Sequence, residues 1–230
     1  MQQSTNAAEH FRSLAMTKVK ITQKELVKIC QKLSLDCRDE RSALWTVNFN
    51  KNNLYFFINN QAEINQLSLK NGLYRSVNQW SFKKYQFSSN DLDEDMVQGE
   101  KYIYPAIYPI NQSQFAVALI DPRHTSYSGG GRGEELADFI HLQANGKYKT
   151  LLKTIPFYSF EQIRACFSEQ EYKIEKHCHD ESFTTLSIHY HDVGKPFLQW
   201  RLSYVHTDWP AGTMNKKIKR TKPEYVKFMN

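Results

Sequence analysis

Between Leu44 and Leu142 the chain repeats one pattern: short runs of aromatic and β-branched residues, each cut off by turn-forming residues. Leu44-Trp45-Thr46-Val47-Asn48-Phe49 and Leu54-Tyr55-Phe56-Phe57-Ile58 flank Asn50-Lys51-Asn52-Asn53, which predicts a β-hairpin. Ile64 to Leu69 and Tyr74 to Phe87 continue the alternation of aromatic and polar positions. Tyr102 to Pro109 and Phe115 to Ile120 then enclose Asn111-Gln112-Ser113 as a second strand pair, and Ala137 to Leu142 alternates in the same way. Phe115 to Ile120 is apolar at every position, so that strand is expected to lie centrally with both faces covered. With 14 Phe, 13 Tyr and 4 Trp against 9 Gly and 7 Pro, the composition supplies aromatic strand faces rather than linkers. The expected fold class is α+β, a mostly antiparallel β-sheet with a few short helices.

Two helices are predicted by capping boxes. Thr22-Gln23-Lys24-Glu25 opens an amphipathic run over 22–33, and Ser159-Phe160-Glu161-Gln162 opens a short helix carrying Ile163, Ala165 and Cys166. Four segments follow: a loosely ordered stretch 1–20, an α+β lobe 21–90, a β-rich lobe 91–212 and a basic tail 213–230. The acidic run Asp91-Leu92-Asp93-Glu94-Asp95 marks the boundary between the lobes, and it lacks the glycine and terminal glutamate spacing of a calcium loop.

The four cysteines form two local pairs, Cys30 with Cys37 and Cys166 with Cys178, without the CxxC spacing of a structural zinc site. Local pairing suggests two disulfides; four buried free thiols is the other reading. The first bridge requires the helix to stop after Cys30. In a continuous helix the two Cα atoms would stand about 10 Å apart at about 1.5 Å per residue, beyond disulfide reach.

His177-Cys178-His179-Asp180 and His189-Tyr190-His191-Asp192 concentrate half of the eight histidines in fifteen residues. A hairpin between them would bring His177, His179 and His191 together as zinc ligands, with Asp180 behind them. A metal-dependent hydrolase is therefore one expectation. The bland one is a strand pair anchored by a disulfide. The G-x-S-x-G, H-E-x-x-H, kinase and P-loop signatures are absent, and the Gly129 to Gly133 cluster is not followed by the Lys-Ser/Thr of a phosphate-binding loop.

Net charge is +6, but 213–230 alone carries five of those charges, and the rest of the chain is nearly neutral. A solvated basic end is the simpler reading, and no nucleic-acid-binding motif accompanies it. No apolar run approaches the roughly 20 residues of a membrane-spanning helix, so no membrane insertion is expected.

The block from Tyr127 to Tyr190, chiefly Tyr127-Ser128-Gly129-Gly130-Gly131, the segment from Ile155 to Glu169 and His177 to Glu181, resembles exported proteobacterial proteins associated with type VI secretion immunity. It covers about a quarter of the chain. The resemblance implies a non-enzymatic periplasmic protein, without cofactor, that binds and neutralises a cognate toxin effector. Disulfides suit that compartment, whereas Met1 to Asn6 has neither the basic nor the apolar region of a signal peptide, a departure from an exported pattern. Projecting loops and aromatic anchors are what such an inhibitor needs. The expected partner-binding residues are Tyr127, Gly129, Gly130, Gly131 and Arg132, Asp91 and Asp93 of the acidic run, and Trp209 in the Trp200 to Trp209 segment.

Overall fold

A computed structural model describes residues 11–37, 41–88 and 95–229. Among these residues the fold is mostly β, with two α-helices, and its strands make two antiparallel sheets. The smaller sheet runs in the order β2 (Thr17–Lys18), β3 (Ala43–Phe49), β4 (Asn52–Ile58), β5 (Glu63–Lys70) and β6 (Leu73–Ser81). Its tight turns follow from residues that tolerate positive φ. Asn50 and Lys51 (φ 49° and 63°) join β3 to β4, and Asn71-Gly72 (φ 52° and 73°) joins β5 to β6. Two successive left-handed residues match the right-handed twist of the strands they connect.

The larger sheet has ten strands. Its main path is β1 (Leu14–Ala15), β8 (Tyr102–Pro109), β9 (Phe115–Tyr127), β10 (Gly130–Leu142), β11 (Tyr148–Arg164), β12 (His179–His191), β13 (Gln199–Trp209) and β14 (Lys217–Arg220). Short strands β7 (Val97–Gln98) and β15 (Glu224–Val226) pair with β9 and β13. The basic segment 213–230 is therefore not a free tail: it supplies β14 and β15, and Phe228 packs into the core while the Met229 N–H reaches the Leu151 carbonyl at 2.8 Å. At the other end, the stretch expected to be loosely ordered supplies β1 and β2, which carry the chain from one sheet to the other through buried Met16.

Strand β9 explains how the layers stack. Phe115, Val117 and Leu119 face the smaller sheet, where they meet Val47, Phe56, Ile58, Ile64 and Trp80. Ala116, Ala118 and Ile120 face the other way, towards Phe139, Leu198 and Trp200. The central, doubly covered strand read from the sequence is present. That second layer exists because the large sheet curls on itself: Leu198 N–H donates to the Ile110 carbonyl at 2.7 Å, and Trp200 Nε1–H to the Pro109 carbonyl at 2.9 Å.

Helix α1 (Gln23–Leu33) covers the outer face of the smaller sheet with Leu26 and Cys30 against Leu44, Phe57 and Leu67. Both halves of the Thr22/Glu25 capping box form, and their hydrogen bonds hold the Glu25 carboxyl below its usual range. Ser34 ends the helix in the left-handed conformation, and the chain doubles back so that Cys37 bonds Cys30 across a Cα separation of 6.1 Å.

The second predicted helix does not form at Ser159. Residues 148–164 are one long strand, bonded to β10 on one side and β12 on the other. Two ladders of hydrogen bonds outweigh a local cap. The helix lies further on, at α2 (Glu169–Ile174), capped reciprocally by Ser168 and Glu171.

Candidate functional site

The far end of the large sheet, beyond the smaller sheet, gathers most of the residues expected to touch a partner. Its first component is the β9–β10 hairpin. Only Ser128 and Gly129 form the turn, with Gly129 at φ 91°. Gly130, Gly131 and Arg132 belong to β10, so the glycine cluster is a tight hairpin turn followed by strand. The glycines are there because bulky neighbours lie across the ladder. A Cβ on Gly130 would stand 2.2 Å from the Gln162 carbonyl oxygen and 2.8 Å from the Tyr127 ring, and one on Gly133 would stand 2.4 Å from the Phe160 ring. Gly130→Ala should therefore force β10 and β11 apart locally and destabilise the protein by about 1–3 kcal/mol, a loss that chemical denaturation would measure.

The second component is the Cys166–Cys178 disulfide, with a Cα separation of 5.1 Å, which ties the end of β11 to the approach to β12. The Ala165 N–H bonds the Cys178 carbonyl at 2.9 Å, and Arg164 Nε bonds the Cys166 carbonyl at 2.7 Å. Replacing both cysteines by alanine should cost about 2–4 kcal/mol for a loop of this size. Differential scanning calorimetry of the double variant checks that loss.

The third component is Trp209, at the end of β13. It stacks on His177 with ring centroids 3.8 Å apart and planes 7° from parallel. Lys216 Nζ sits 4.1 Å from the Trp209 ring centroid, and the indole N–H bonds the Thr213 carbonyl at 2.8 Å. This sandwich fixes the segment linking β13 to β14. Gly131 and Trp209 lie in one row of the sheet, Gly131 opposite Gln162, Gln162 opposite Glu181 and Glu181 opposite Trp209. Three strand spacings separate them, about 14 Å. Tyr127 is exposed and points its hydroxyl at Glu161, 3.3 Å away. Asp91 and Asp93 lie outside the described residues.

The histidines do not converge. His179 and His191 occupy the two ends of the same strand, β12, where His179 pairs with Arg164 and His191 with Gln199. Twelve residue steps of extended chain put them about 40 Å apart. The expected hairpin between the two His pairs does not exist, and His177 is committed to Trp209. Among the described residues no group of three or more His, Cys, Asp or Glu side chains has metal-binding geometry.

Sequence reasoning passed over several exposed apolar residues of this end. Phe160, Ile163, Phe167, Tyr172 and Ile174 are all exposed, Phe167 at 72% and Ile174 at 66%. Arg164 joins two of them, its guanidinium 5.4 Å from the Phe167 ring centroid and 5.6 Å from that of Tyr172, while its backbone N–H reaches the Gly129 carbonyl at 2.6 Å. Ile163 stands opposite Gly130, which leaves its side chain uncovered. The capping box at Ser168-Glu169-Gln170-Glu171 was the one signal that could have placed Phe167 and Tyr172 around a helix. Comparison with protein-family models, characterised proteins and solved structures finds no match for this chain.

Proposed function

We propose that this chain is a binding module that neutralises a secreted antibacterial toxin by direct protein contact, docking it at the far end of the large sheet. The observation that carries this reading is the exposed aromatic pair Phe167 and Tyr172 with Arg164, set beside a disulfide. Aromatic side chains with an arginine among them make the anchors of protein interfaces, and a group pinned by a covalent bridge loses little entropy when a partner docks. Exposed apolar side chains grouped on one surface are unusual unless something covers them. Two disulfides suit an oxidising compartment, and the periplasm is the one that the resemblance to immunity proteins implies.

In this reading the protein performs no chemistry. The hydrolase alternative needed His177, His179 and His191 in one coordination sphere, and the length of β12 keeps them apart. The experiment is a deletion in the parent bacterium. Cells lacking the gene should be killed by unmodified sister cells in contact with them, and survive when the sisters' secretion apparatus is inactivated. Equal survival of deletion and parent strains under contact would refute the reading.

A further inference from the structure

Strand β6 ends the smaller sheet, with β5 on one side and, among the described residues, no strand on the other. Its register with β5 fixes which backbone groups are left over. Lys70 and Leu73 flank the two-residue turn at Asn71-Gly72 and form the hydrogen-bonded pair of that hairpin. Arg75, opposite Ser68, is therefore bonded to β5, while the N–H and C=O groups of Tyr74 and Ser76 turn to the open side. No other backbone group among the described residues takes them up. Beyond Ser76 the edge closes. Val77 is the extra residue of a bulge between the pair Leu67 with Ser76 and the pair Gln66 with Asn78, and the Asn78 side chain accepts the Asn145 N–H at 3.1 Å. Leu73 to Ser76 is thus a short stretch of open ladder.

Helix α1 borders that stretch. A cavity of about 350 Å3 lies between them, with Ile21, Ile29 and Leu33 on the helix side and Leu73 and Tyr74 on the strand side. Tyr74 is turned towards the helix, where it packs on the α1 cluster with its ring 5.6 Å from that of Tyr55. A residue of an added strand opposite Tyr74 would share that face and stand over the groove.

The charge around the groove has one sign. Lys28 and Lys32 line it and are exposed, as are Lys70 beside the turn and Arg75 on β6. Glu25 is the one carboxylate of the lining among the described residues, and it is held by the Thr22 N–H and hydroxyl, each at 2.8 Å. A second copy pairing edge to edge would set Arg75 and the lysines beside their own counterparts, and like charges there repel.

We infer that this edge binds an extended acidic segment of a partner protein, which joins the five-stranded sheet as a further strand. The segment exchanges backbone hydrogen bonds with Tyr74 and Ser76 and seats an apolar side chain between Tyr74 and Ile29. Carboxylates two residues to either side share its face and reach Lys28 and Lys32. The groove is on the outer face of the smaller sheet, apart from the docking face, so this inference and the proposed function stand or fall separately.

The test is titration of the full chain with the end-blocked peptide Thr-Glu-Thr-Val-Thr-Glu-Thr, whose valine and two glutamates share one strand face. Calorimetry gives the affinity and amide hydrogen exchange gives the place. With peptide at about ten times its Kd, exchange at Tyr74 and Ser76 should slow about tenfold, while Phe167 and Tyr172 on the docking face stay unchanged. The Lys28→Gln, Lys32→Gln double variant, altered at two exposed positions, should bind about fivefold more weakly. Methylating the valine nitrogen, which removes a ladder donor, should weaken binding about tenfold. The Phe167→Asp, Tyr172→Asp variant should bind the peptide as wild type does. Absence of saturation, a lysine-for-glutamate peptide binding equally well, affinity indifferent to valine methylation, or protection at Phe167 and Tyr172 in place of Tyr74 and Ser76 would overturn the inference. So would protection of Tyr74 and Ser76 on raising the protein concentration without peptide, which would assign the edge to a second copy of this chain.

Discussion

Trp200→Ala should lower stability by about 3–5 kcal/mol. The indole is 0% exposed and makes edge contacts with Phe139, Tyr190 and Phe228 at centroid separations of 5.2, 5.4 and 5.2 Å. Those rings come from β10, β12 and the C-terminal segment, so one side chain joins three parts of the curled sheet. Its N–H also satisfies the Pro109 carbonyl at the end of β8. Truncation removes the packing and strands that carbonyl, which adds about 1 kcal/mol. For a chain of this length each kcal/mol moves the midpoint by about 2–4 °C, so thermal denaturation should show a fall of roughly 10 °C or more. Trp200→Phe keeps much of the volume and loses only part of this. A midpoint within 3 °C of wild type for the alanine variant would mean that closure of β13 on β8 does not stabilise the fold.

The second large effect is expected at Arg123. Its guanidinium bonds the Asp121 carboxylate through Nε at 3.2 Å and Nη2 at 2.9 Å, and both side chains are almost wholly buried. Gln98 Nε2 donates to the other carboxylate oxygen at 2.6 Å, and Glu134 approaches Arg123 at 3.6 Å. Arg123→Met leaves Asp121 as a buried charge with one neutral donor, and breaking such a pair from one side costs about 3–5 kcal/mol. Replacing both partners, as in Asp121→Asn with Arg123→Met, removes the stranded charge and should cost less than Arg123→Met alone. Urea denaturation of the four members of this cycle measures the coupling. An additive cycle would show that the pair contributes no net interaction.

Features written in short stretches of sequence were legible. The first helix followed from Thr22 and Glu25, its stop from the demand that Cys37 return to Cys30, and the buried central strand from Phe115 to Ile120. Features decided by distant partners were not. Ser159 to Gln162 has the pattern of a cap, yet β10 and β12 claim its backbone from both sides. The glycines from Gly129 to Gly133 read as a loop because nothing local reveals that Gln162, Tyr127 and Phe160 occupy the space their side chains would take. The histidines read as a hairpin because nothing between His179 and His191 shows that the chain runs straight through, with β13 alongside from Glu181 to His191. The stacking of Trp209 on His177 joins residues 32 positions apart, and only the fold brings them face to face.

The docking face is tested most directly by complementation of the deletion strain with a Phe167→Asp, Tyr172→Asp double variant. Both side chains are exposed, so the variant should keep the wild-type melting midpoint and both disulfides. Two carboxylates set into an aromatic interface should weaken docking by more than a hundredfold, about 3 kcal/mol. Wild-type protein should restore survival against contacting sister cells while the folded variant fails to. Full protection by the variant would contradict the assignment of the toxin-binding face to this end of the sheet.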